Sequence, residues 1–174
     1  MINFIKKHAR LALYYSVLVA SLVSCATNPV FDVDSIDVLN QNPHSIVAAT
    51  NEECGDVPSG KVIWGGVIVS AHNLSDRTQL EILSYPLSNY QRPLTDEKPT
   101  GRFLIQSAGY LELASYQQGR LITVLGSVQD VTQGTVGDSD YQYPTITSNE
   151  LHLWLTDKPA KTGVVFGIGI SLGG

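Results

Sequence analysis

Beyond residue 60 the chain is a succession of short apolar stretches separated by turn residues. Lys61 to Ser70 is rich in Val, Ile and Trp and is apolar on both alternating faces, which predicts a strand covered on both sides. Gly65 and Gly66 interrupt that run and predict a bulge or sharp bend, so that one long strand can curve and serve two parts of a small barrel. Asn73 to Arg77 supplies turn residues and Thr78 to Ser84 a second strand, giving a hairpin. Pro86, Pro93 and Pro99 make residues 85–100 a long connection over the sheet, because proline lacks the N–H that a ladder needs. Arg102 to Gln106 reads as a third strand. Tyr110 to Gln118 reads as one or two helical turns closed by Gly119, with Leu111 and Ala114 on one side. Leu121 to Gln129 is a fourth strand, Asp130 to Asp140 a loop, and Thr145 to Leu155 a fifth strand. In the last, Leu151, Leu153 and Leu155 form a dry face and Glu150, His152 and Trp154 a wet one.

A long bent strand, two more strands, a short helical connection and two final strands follow the order of an OB-like barrel. The expected class is therefore all-β with a minor helix: a small antiparallel barrel of five to six strands. An antiparallel sandwich is the alternative, since sequence pattern does not reveal closure. Pro43 to Thr50 fits a short helix with Asn42 as cap and Pro43 in the first turn, although Ile46 and Val47 would also suit an edge strand.

The N-terminus has a different character. Lys6, Lys7 and Arg10 precede an apolar run from Leu11 to Val23 that is short for a membrane span, the form of a secretory signal. The run ends in Leu22, Val23, Ser24 and Cys25, which resembles the bacterial lipobox. That resemblance implies cleavage after Ser24, a diacylglyceryl group on the Cys25 thiol and an acyl chain, such as palmitate, on its freed amine. Two or three chains at about 0.8 kcal/mol per buried methylene make a durable anchor where one is marginal. The domain boundaries follow: 1–24 signal peptide, 25–42 a lipidated tether, 43–174 one β domain with a Gly-rich final strand. The polar, turn-rich residues 26–42 read as a spacer lifting the domain off the bilayer.

Charge narrows the partners. All sixteen acids lie beyond residue 24 while three of the eleven Lys and Arg lie before it, so processing takes the formal charge from −5 to −8. Nucleic acid is an improbable partner, and Arg77, Arg92, Arg102 and Arg120 are scattered rather than gathered in a groove. With 43% apolar and 16% charged residues the chain can bury a core. Of its two cysteines, lipidation of Cys25 leaves Cys54 without an intrachain partner, to be a buried thiol, an intermolecular bridge or a reactive group. Glu52, Glu53 and Asp56 beside it would raise a thiol pKa and disfavour a nucleophilic role.

Several fragments in order, Gly65-Gly66-Val67-Ile68, Gly101-Arg102-Phe103, Gly109-Tyr110-Leu111-Glu112, Gly119-Arg120, Thr123-Val124-Leu125-Gly126 and Leu151-His152-Leu153-Trp154, join the lipobox in resembling the Slp family of outer-membrane lipoproteins, associated with starvation and other stress. The resemblance covers Cys25 to Trp154. It implies a lipid-anchored outer-membrane protein that faces the periplasm. Ala26, where an inner-membrane retention signal would place Asp, agrees with that destination.

The candidate chemistry is sparse. Gly137-Asp138-Ser139 resembles one esterase nucleophile block, but Asn149 stands where the acid before His152 would be needed. His44, His72 and His152 are far apart and no CxxC or HxxxH pair exists, so no metal or catalytic residue is assigned. No cofactor is expected beyond the acyl groups on Cys25. Tyrosines crowd the connections, and Tyr85, Tyr90, Tyr141 and Tyr143 in the 85–100 and 131–144 loops are candidates for a recognition surface, or else simply cover the barrel ends. In the tail, Phe166, Ile168, Ile170 and Leu172 share one strand face, so residues 163–174 either close the domain's own sheet or add to an envelope protein or a second copy. A binding or envelope-support module is the first reading of function, a small-ligand carrier with a barrel cavity the second, an envelope hydrolase the third.

Overall fold

A computed structural model describes residues 28–32, 36–51 and 56–155. Cys25, Cys54 and the tail 163–174 lie outside the described residues. Helix α1 (Pro43–Asn51) is followed by strands β1 (Lys61–Asn73), β2 (Arg77–Ser84), β3 (Gly101–Ala108), β4 (Leu121–Val136) and β5 (Ser139–Leu153). Hydrogen bonding closes them into a ring in the order β1-β2-β3-β5-β4, the OB-like arrangement expected from the sequence. The sheet is mixed rather than purely antiparallel. β3 and β5 run parallel and pair only at Leu104, Ile105 and Gln106 with Thr145, Ile146 and Thr147, so the ring is shut by a short seam.

β1 supplies the bend. Its first half, Lys61 to Val67, pairs with β4, and Gly66 onward pairs with β2. Gly66 faces Ile122 on one side and Ser84 on the other, and a Cβ placed there would stand 2.0 Å from the Leu83 carbonyl oxygen. Only a residue without a side chain permits this approach. A register shift between Ile68 and Ser70 completes the turn.

The interior is filled. Val62, Ile68, Leu80, Ile82, Phe103, Ile105, Ile122, Val124 and Ile146 are fully buried, and the Trp64 indole meets Phe103 edge-on with ring centres 5.1 Å apart. Ile46 plugs α1 onto this core. The helix starts where Asn42 and Ser45 exchange caps: the Ser45 N–H donates to Asn42 Oδ1 and the Asn42 N–H to Ser45 Oγ, both at 2.9 Å.

Three expectations change. Residues 130–140 are not a loop: β4 and β5 continue as a paired ribbon to Val136 and Ser139 around a two-residue turn, with Gly137 at a φ of 59°. No helix forms over 110–118. Two tight turns, Glu112 to Ser115 and Leu113 to Tyr116, occupy that stretch, and Leu111 packs on the core while its N–H donates to the buried Thr78 hydroxyl. Gly119 does adopt the left-handed conformation assigned to it, with a φ of 86°. Finally, β5 ends at Leu153, so Leu151 and Leu153 pack on the core but Leu155 is 83% exposed.

The residues before α1 also depart from a free spacer. Val38 bridges to Lys61, the Leu39 N–H donates to the Lys61 carbonyl at 2.8 Å, and Trp64 Nε1 donates to the Gln41 carbonyl at 2.7 Å. The described part of the predicted tether is laid along the barrel.

Candidate functional site

Two places on the surface gather polar and aromatic side chains. The first is the ribbon where it curls over β3. The Tyr141 and Tyr143 rings are tilted against each other with centres 4.7 Å apart. The Tyr141 hydroxyl accepts the Arg102 backbone N–H at 2.9 Å, satisfying a β3 edge donor beyond the reach of the short parallel seam. Tyr143 is 5% exposed, and its hydroxyl lies 3.2 Å from Glu81 Oε1 and 2.9 Å from the Thr135 carbonyl. Burial, reinforced by the neighbouring Glu81 carboxylate, pushes the Tyr143 phenol above its ordinary value. Arg102 completes the cluster with a 2.6 Å ion pair to Glu81. Beside it, an open cleft of about 390 Å³ lies between α1 and the ribbon, lined by His44, Val47, Gln133, Asp140, Tyr141 and Gln142. Tyr85 borders a different cleft with Asn42, Trp64 and Thr100, and Tyr90 is 51% exposed on the 85–100 connection.

The second place was not anticipated from the sequence. Gln91 grips the backbone of Phe31: the Phe31 N–H donates to Gln91 Oε1 at 2.7 Å, and Gln91 Nε2 donates to the Phe31 carbonyl at 2.9 Å. Gln91 is buried with a φ of 63°, a left-handed conformation uncommon outside glycine. Its own carbonyl accepts the buried Thr123 hydroxyl at 2.6 Å, and the same hydroxyl accepts Trp154 Nε1 at 2.9 Å. The Arg92 guanidinium lies 5.2 Å from the centre of the Trp154 ring, and Arg120 donates to the Trp154 carbonyl at 3.0 Å. The available signal was a polar residue in a proline-bracketed connection, which does not distinguish a buried clamp from a solvated loop.

Ser139 and His152, the residues of the esterase-like block, stand near opposite ends of β5, thirteen residues apart in the chain, and the His152 ring packs edge-on against Trp154 with centres 4.6 Å apart. Among the described residues no three His, Cys, Asp or Glu side chains gather as metal ligands, and no helix is long and apolar enough to cross a membrane.

Comparison with known proteins adds what geometry does not. The family model described as "Outer membrane lipoprotein Slp family" matches residues 22–167. The chain belongs to the Slp family of outer-membrane lipoproteins. Its place is therefore the outer membrane, reached as a lipoprotein. Curated relatives include an uncharacterized protein of Haemophilus influenzae, 31% identical over 52% of this chain and 49% of its own length. Two Escherichia coli proteins also match over 52% of this chain. The uncharacterized lipoprotein YeaY is 29% identical over 47% of its length, and the outer membrane protein Slp is 26% identical over 48% of its length. The match thus spans about half of each relative. Among solved structures, Schizosaccharomyces pombe Pot1pC bound to ssDNA aligns with 72% of this chain and 91% of its own at a TM-score of 0.33 and 10% identity, a likeness too weak to bear on ligands. The family description gives a place and a lipid, not a reaction.

Proposed function

We propose that this protein is anchored through acyl chains on Cys25, faces the periplasm, and serves as a binding or envelope-support module linked to stress, without catalysing a reaction. The observation that carries this reading is the filled interior: apolar side chains occupy the centre of the ring, so recognition has to use the outer surface. The same packing weighs against the carrier reading, which requires an apolar cavity that the core side chains already occupy. The open clefts flanking α1, with Tyr85 on one side and Tyr141 over the buried Tyr143 on the other, together with the exposed Tyr90, are the surfaces available to a partner. Residues 163–174 remain a candidate for strand addition to an envelope protein or a second copy.

The test is the Cys25→Ser variant expressed beside the wild type and fractionated. The wild-type chain is expected to sediment with outer membranes, and the variant to accumulate as uncleaved precursor or soluble periplasmic protein. Equal membrane retention of both chains, with no acyl mass on the wild type, would overturn the anchored reading.

A further inference from the structure

The clamp on Phe31 fixes more than a loop. Only five residues lie between Cys25 and Phe31, so the two are six Cα steps apart, a reach of roughly 20 Å even when fully extended. Whatever part of the barrel holds Phe31 is thus carried close to the lipid that Cys25 bears. That part is the Gln91, Thr123 and Trp154 post, and the side chains around it have the composition of a membrane interface. Tyr90, next to Gln91, is half exposed; Leu155, next to Trp154, is almost wholly exposed; Arg92 stacks on the Trp154 ring. Tyr and Trp favour the headgroup level because one end is apolar and the other hydrogen-bonding, and arginine can lay its stem on apolar surface while its head stays wet. Trp154 is held rigidly, with its N–H on the Leu121 carbonyl at 3.0 Å, its indole on Thr123 and its carbonyl on Arg120.

We infer that the end of the barrel bearing Tyr90, Arg92, Trp154 and Leu155 rests on the phospholipid headgroup surface, held in that attitude by the clamp between Gln91 and Phe31. This orientation rests on the acylated Cys25 proposed above. A net charge of −8 on the mature chain rules out attraction of the whole domain to an acidic surface. The contact is therefore made by interfacial aromatic and apolar groups, and it holds on zwitterionic lipid and in high salt.

The experiment uses the full acylated chain in phosphatidylcholine vesicles, with and without lipids brominated in the upper acyl chain. The chain holds two tryptophans, and Trp64 is buried in the barrel, so the difference between wild type and Trp154→Phe isolates the Trp154 emission. Bromolipid is expected to remove most of that difference signal. Because the substitution also deletes the bond to Thr123, hydrogen exchange on the wild type is read in parallel. Amides of residues 88–92 and 152–155 are expected to exchange more slowly on vesicles than in the Cys25→Ser protein in solution, at low and high salt alike. An acylated, vesicle-bound chain with an unquenched Trp154 and unchanged exchange would overturn the orientation while leaving the anchor intact. Protection appearing only when another envelope protein is added would overturn it in favour of a protein partner. A chain without acyl mass that fails to bind vesicles would overturn the anchor itself.

Discussion

At Gly66 the fold depends on the absence of one carbon. Its place between Ser84 and Ile122 brings two neighbouring strands onto one residue, and the Leu83 carbonyl oxygen cannot retreat without breaking the β1–β2 ladder. Gly66→Ala is expected to cost about 3 kcal/mol through overpacking, read as a lower urea midpoint at unchanged slope. Tyr143 makes a different kind of prediction. Burial and the Glu81 carboxylate favour its neutral form, so its pKa in the folded protein lies above the ordinary 10.0. Its contribution is fully present below pH 10 and is lost as pH rises through the raised folded value, because only the unfolded chain then ionises freely. Tyr143→Phe should remove that component of alkaline sensitivity while costing about 1 kcal/mol at neutral pH for the lost hydroxyl bonds. Stability of both proteins measured across the alkaline range checks it: parallel curves would contradict the assignment.

At the scale of elements, the order of strands was legible because each carries its own apolar face or its own turn signal. Gly65 and Gly66 announced the bend in β1, and Asn42 with Pro43 announced α1. That cap is predicted to matter: Asn42→Ala should lower stability by about 1 kcal/mol and let the first turn of α1 exchange faster, since the Ser45 N–H loses its acceptor. The ribbon of β4 and β5 was not legible for a physical reason. Residues 129–140 are largely exposed on both faces, so no apolar alternation marks them, and Gln133, Gly134, Asp138 and Asp140 resemble a loop. Val131, Thr132, Thr135 and Val136 were the available hint, with Gly137 at the first central position of a two-residue hairpin turn. The turns over 110–118 were misread as helix because Leu111 and Ala114 match a helical spacing that only Leu111 uses, packing on the core where Ala114 is exposed. The parallel seam could not be read at all, since pairing direction leaves no mark on three residues.

For the whole molecule, the sequence revealed destination better than attitude. The lipobox and the ordered Slp fragments pointed to an outer-membrane lipoprotein, and the family match over residues 22–167 agrees. The tether read as a spacer because its residues are polar. What it became depends on Gln91, sixty residues away, presenting one amide group that completes two backbone hydrogen bonds at Phe31. Such a contact has no local signature, and neither has a surface built from Tyr90, Trp154 and Leu155 at distant points of the chain. The tyrosines divide similarly: Tyr141 and Tyr143 meet because the ribbon folds over β3, while Tyr85 lines its own cleft and Tyr90 lies beside the clamp. The proposed attachment begins at one sulfur, that of Cys25. Its most direct test is the intact mass of the N-terminal peptide from protein purified out of native envelopes: a chain starting at Cys25 and carrying diacylglyceryl and N-acyl groups is predicted, and a chain whose Cys25 is unmodified would contradict it.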